Sequence, residues 1–155
     1  LIMLKIIRRE HLFFALLLLV APMSQPLAAE SEWVDGKANY YEIKPPITVN
    51  LRADKIRYIQ VKVQLMSREV STLQKVESNK PAIIDSLITL ITAQELSTMR
   101  NVTSREKVRA EALKRVQALL QEIAGIVPGT KIGEGEDATT VKGVEALYFT
   151  DFVVQ

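Results

Sequence analysis

The chain has 155 residues, no cysteine and one histidine, with 20 basic against 18 acidic residues for a net charge of +2. The missing cysteine excludes a disulfide framework, a thiol nucleophile and a lipoprotein cysteine. The one histidine, His11, lies in the opening stretch. The rest of the chain therefore lacks the imidazole of Ser–His–Asp and Cys–His catalysis and the usual His or Cys zinc ligands.

The opening reads "HLFFALLLLVAPMSQPLAAE" over residues 11–30, with an unbroken apolar run at 12–21 that Pro22 ends. As a helix such a run covers roughly 15 Å, about half of a ~30 Å hydrocarbon core. Lys5, Arg8 and Arg9 precede it, and the small residues Ala28 and Ala29 follow. A basic start, a short apolar run and small residues at a cut are the pattern of a secretory signal. Pro26 or Leu27 stands where a small residue is preferred upstream of the cut, so a short uncleaved anchor stays open beside cleavage. Residues 1–29 are thus expected to be a signal peptide or a short N-terminal anchor, and the remainder is placed in the periplasm. Residues 1–29 hold three basic residues and one acidic, which leaves 17 of each sign in the rest. That neutral balance, with no basic stripe interleaved with aromatics, speaks against a nucleic-acid partner.

Residues 30–39, "ESEWVDGKAN", are polar and read as a linker; Trp33 within them suits either a partner or membrane contact or a lid on the core's edge. Period-two alternation begins at Tyr41: Ile43, Ile47, Val49 and Leu51 share a face, and Pro45 and Pro46 place this strand at an edge or a bulge. "RADK", residues 52–55, forms the turn. The next run sets Ile59, Val61, Val63 and Leu65 against Gln60, Lys62 and Gln64, completing a hairpin with one dry face and one wet. Val70, Leu73 and Val76 then recur at helical spacing, and Pro81 opens a second helix carrying Ile83, Ile84, Leu87, Ile88 and Ile91. A break is expected over residues 97–102. The strongest helix follows, with Thr103 and Glu106 as a capping box, an apolar stripe of Val108, Ala112, Leu113, Val116, Leu119, Leu120 and Ile123, and Gly125 as its stop. The stripe fits packing on the sheet better than a coiled-coil seam, which would run for more heptads. Residues 125–143 read as a long glycine-rich loop, and "VEALYFTDFVVQ" returns to a strand that completes the sheet. The order strand, strand, helices, strand predicts an α+β fold, a small antiparallel sheet with helices packed on one face.

Chemistry-bearing clusters are sparse. The acids of "GEGED", residues 133–137, lack the alternating ligands of a calcium loop and read as a solvated loop. "NVT" at 101–103 is formally a glycosylation acceptor, but its threonine has the capping role. A carboxylate enzyme would need two acids converging in one pocket, for instance Asp85 with Glu95 or Asp151. On the last long helix, Arg105, Arg109, Lys114 and Arg115 alternate with Glu106, Glu111 and Glu122. This polar face is either solvated and laced by pairs such as Glu111–Arg115, or a contact for a charged neighbour. No catalytic, cofactor-binding or metal-binding residue is assigned, and the chain reads as no enzyme and as needing no cofactor.

"YYEIKPPITVNL", "RYIQVKVQLM", "KPAIIDSLITLI", "SREKVRAEALKRV" and the closing "LYFTDFVVQ" follow one another over residues 40–155. In this order they resemble the flagellar basal-body-associated FliL family. The resemblance implies a periplasmic domain at 40–155 similar to stomatin (SPFH) domains, without catalytic residues or cofactor. It further implies a part in motility: self-association into rings around the flagellar stator and other basal-body proteins, close to the inner membrane. Sheet edges and the exposed faces of the two main helices would carry that assembly. A periplasmic oligomeric adaptor or envelope scaffold unrelated to flagella is the alternative, since a fold does not fix a function.

Overall fold

Two strands of alternating character build the centre of the molecule. β1 (Asn39–Leu51) and β2 (Arg57–Ser67) pair antiparallel, and β5 (Ala146–Val154) pairs antiparallel with the other side of β2. The sheet order is therefore β1-β2-β5, with β2 central. This is a computed structural model, and it describes residues 32–51, 53, 57–133 and 138–155. The expected signal or anchor at 1–29 lies outside the described residues. So do most of the "RADK" turn and the three acids of "GEGED".

Period two does the work in β2. Ile59, Val61, Val63 and Leu65 are all fully buried, whereas Gln60, Lys62 and Gln64 lie on the other face. Complete burial of side chains this size stabilises by about 1.5–3 kcal/mol each. In β1 the expected edge position and the expected irregularity occur together: the strand is outermost, and its register slips between Ile43 and Ile47, across Pro45 and Pro46.

Helices cover one face of the sheet. α1 (Val70–Ser78) buries Leu73 and Val76, and α2 (Lys80–Thr92) buries Ile83, Leu87, Leu90 and Ile91. Ile88, expected on the buried face of α2, is 38% exposed, and Leu90 takes the inward position. A row at i, i+4, i+7 and i+8 from Ile83 selects 87, 90 and 91 and leaves 88 to one side. The expected break at 97–102 instead holds a short helix, α3 (Leu96–Arg100), pinned by the fully buried Met99. α4 (Val102–Ala124) packs on α2 and β5 through Val108, Ala112, Val116 and Leu120; Ile123, expected in this stripe, is exposed.

The start of α4 corrects the expected capping box. Asn101, with extended backbone, is the N-cap, and its Oδ1 accepts the Ser104 N–H at 2.9 Å. Thr103 therefore sits inside the first turn, and Glu106 turns to Arg109. Asn is as good a cap as threonine or better, and using it lengthens the helix by two residues. The stop is as expected: Gly125 has φ +67, a left-handed conformation that costs glycine nothing.

The long loop has internal structure. β3 (Lys131–Ile132) and β4 (Thr139–Thr140) form a two-stranded ribbon within it. Much of the stretch read as a linker is likewise held on the domain, and Trp33–Gln155 form one folded unit. Gly36 N–H donates to Arg68 O at 2.8 Å, Asn39 is buried with its side chain bonded to the Val34 backbone, and Trp33 meets Tyr41 edge-on at 6.0 Å. The observed class is α+β, a small antiparallel sheet with helices. Among the described residues, no helix is long and apolar enough to cross a membrane.

Candidate interaction surfaces

The three carboxylates singled out from sequence do not meet. Asp85 is exposed on α2, and Glu95 is exposed before α3. Asp151 lies on the uncovered face of the sheet, where its Oδ2 pairs with Lys62 Nζ at 3.2 Å. None of the three lines the larger cavities of the domain. Among the described residues, no group of three His, Cys, Asp or Glu side chains is placed to hold a metal ion.

On the polar face of α4 the basic residues divide. Arg115 pairs with Glu111 at 3.1 Å, the expected i, i+4 partner, and Lys114 and Glu122 are exposed. Arg105 and Arg109 instead reach across to β5. The Arg105 guanidinium stands 5.1 Å over the Phe152 ring, and Arg109 Nη1 donates to Leu147 O at 2.8 Å. A cation over an aromatic face adds about 0.5–1 kcal/mol, and a charge-assisted hydrogen bond to a carbonyl is stronger than a neutral one, so both add to the apolar packing. These two arginines fasten α4 to the sheet.

The densest polar cluster was not foreseen. It surrounds the start of α1, where Asp35 Oδ1 accepts the Val70 N–H at 2.8 Å from far upstream. Glu69 Oε1 accepts Lys142 N–H at 2.7 Å, while its Oε2 accepts Gly143 N–H at 3.2 Å and the Thr72 hydroxyl at 2.8 Å. Ser67 Oγ donates to Gly143 O at 2.7 Å, and Arg68 pairs with Glu145. One carboxylate thereby clamps residues 142–143 onto α1. Gly143 allows the close approach: it has φ +67, and a Cβ there would stand 3.2 Å from Ile126 Cγ2. Beside the clamp opens a cleft of about 480 Å³, lined by Asp35, Lys75 and Ile126 with the β3–β4 ribbon. An acid just before a helix was the only sequence signal, and it does not name a partner over seventy residues away.

The face of the sheet away from the helices is the other broad surface. Tyr40, Tyr58, Tyr148 and Val153 are 37–50% exposed on it, with Gln60 and Gln64 between them. Tyr40 and Tyr148, from the two outer strands, approach to 6.2 Å between ring centroids. The charges here are paired within the chain, Glu42 with Lys44 at 3.1 Å and Asp151 with Lys62. On the opposite side Tyr41 is half-buried, and burial, then the Glu77 carboxylate, raise its pKa above the ordinary 10.0.

Fold and surfaces together define a small α+β domain that offers faces for contact. Comparison with known proteins then supplies the family. The sequence model of the flagellar basal body-associated protein FliL matches residues 40–155, and the chain belongs to that family. A relative is the flagellar protein FliL of Aquifex aeolicus (strain VF5), 28% identical over 116 residues. That stretch is 74% of this chain and 60% of the relative's length.

Proposed function

We propose that this chain is a non-catalytic structural component of the flagellar basal body that assembles around the motor stator and supports it in motility. The observation that carries this reading is the family match, which spans all but the first seven residues of the folded unit Trp33–Gln155. The domain at 40–155 is read as stomatin (SPFH)-like and lies in the periplasm beside the inner membrane, brought there by residues 1–29 as a cleaved signal or a short anchor. Its neighbours are stator and basal-body proteins and further copies of itself in a ring. The uncovered sheet face suits such contacts. Tyrosines with amides and internally paired charges recognise protein surfaces through area and hydrogen bonds, without a demand for net charge.

The test is a fluorescent fusion at the C-terminus, imaged with labelled motors, together with deletion of the gene. Fusion foci at the motors, and swimming that weakens most in viscous medium, are expected. A fusion spread evenly along the envelope, with unchanged swimming at every viscosity, supports an envelope scaffold unrelated to flagella and refutes the proposal. Intact mass of the recovered protein separates cleavage near Ala29 from retention of the opening stretch.

A further inference from the structure

The free edges of a sheet present unpaired N–H and C=O groups to any passing strand, and natural proteins block them by several devices. Both edges here carry such devices. In β1, Pro45 and Pro46 stand mid-strand without an N–H to offer, and the register slips beside them. No second strand can run the length of that edge.

β5 is closed by side chains. Tyr58 and Gln155 exchange N–H···O bonds in both directions, at 3.2 and 2.9 Å. By the antiparallel alternation, Val153 and Asp151 also turn their backbone groups toward β2, and Val154 and Phe152 turn theirs outward. The register then shifts at Lys62/Val63. Two groups on this edge are already taken: Leu147 O by Arg109 Nη1 at 2.8 Å, and Phe152 N–H by Asp151 Oδ1 at 2.9 Å. Each blocking side chain is itself held in place. Glu106 Oε2 lies 2.8 Å from Arg109 Nη2, and Lys62 Nζ lies 3.2 Å from Asp151 Oδ2.

We propose that Arg109 and Asp151 are the residues that keep β5 from accepting another strand, and that the strand they exclude is β5 of a second copy of this chain. An antiparallel β5–β5 contact is two-fold, so each copy would offer the other the same free groups in a self-complementary register. The interrupted β1 edge has no such match. Any contact between copies of this domain then runs through side-chain faces and not by a sheet continued from one to the next. This departs from the expectation that sheet edges carry the assembly, and it holds whether or not the stator reading does.

The experiment compares the full-length protein with Arg109→Lys and with the double variant Arg109→Met/Asp151→Ala. Molar mass is read by light scattering after gel filtration, and backbone exchange by hydrogen–deuterium mass spectrometry. Lysine keeps the charge and a donor on the same helix face and should match the wild type. The double variant should double its mass relative to the wild type at equal concentration, with exchange over residues 149–154 slowed about tenfold or more. A folded double variant with wild-type mass and exchange overturns the proposal. So does a gain in mass accompanied by faster exchange over those residues, which marks unfolding and not pairing. Should the double variant fail to fold by circular dichroism, Asp151→Ala alone carries the test, because its ion pair is half exposed. It should show exchange at Phe152 that slows as concentration rises; exchange independent of concentration refutes the idea.

Discussion

Replacing Glu69 by alanine removes one carboxylate and, with it, the acceptors for Lys142 N–H, Gly143 N–H and the Thr72 hydroxyl. The three losses differ in weight. Lys142 is exposed, so water replaces the carboxylate there at little cost. Gly143 is buried, with Ile126 and Pro128 packed beside it, and the Glu69 carboxylate is the acceptor of its N–H. A buried donor left unmatched costs about 1–3 kcal/mol. Thr72 is 2% exposed and loses its partner as well, worth about 0.5–1.5 kcal/mol for a neutral hydroxyl that finds another acceptor by rotating. Together the change should lower stability by about 1.5–4.5 kcal/mol, below the ~5–15 kcal/mol of a typical domain. Trp33, the chain's one tryptophan, rests against Tyr41, so its emission follows unfolding in urea. The expected result is a lower midpoint at unchanged slope, with faster amide exchange over residues 139–144. Glu69→Gln keeps one oxygen and should lose less. A loss below about 0.5 kcal/mol for the alanine variant, the range of ordinary surface changes, would refute the claim that this carboxylate clamps the loop.

Three further outcomes follow from the same structure. Val63→Asp places an unpaired charge at a fully buried position of the central strand and should abolish folding, read as loss of soluble protein and of the near-ultraviolet signal. Asn101→Ala should cost about 1 kcal/mol as a lost helix cap, whereas Thr103→Ala should stay within about 0.5 kcal/mol; equal effects in urea denaturation would restore the capping box. The raised pKa of Tyr41 means the folded state holds the phenolic proton more tightly than the unfolded chain. Its contribution is complete below the ordinary value of 10.0 and lost as pH climbs through the raised one. Thermal midpoints measured up to about pH 11 should fall less steeply for Tyr41→Phe than for the wild type.

Much of the scaffold was legible because it is written in short periods. Ile59, Val61, Val63 and Leu65 announce β2 by alternation alone, and Gly125 marks the end of α4 because few residues accept a left-handed backbone. What escaped depends on partners remote in sequence. Asp35 caps α1 from 35 residues away, and Glu69 holds Lys142 and Gly143 across more than seventy. No local pattern encodes such pairings. Near misses arose where two local solutions compete, as with Asn101 and Thr103 for one helix start. Arg105 and Arg109 read as solvated charge because spacing alone does not show that β5 runs beneath them. The β3–β4 ribbon has only two residues in each strand, too few for alternation to register.

The most direct test of a structural role at the motor is electron cryo-tomography of basal bodies in cells with and without this gene, averaged about the motor axis. Density surrounding the stator units on the periplasmic side should be present in the first and absent in the second, and should return on complementation. Identical averages from both strains, with stators equally occupied, would contradict a place for this protein in the basal body's stator assembly.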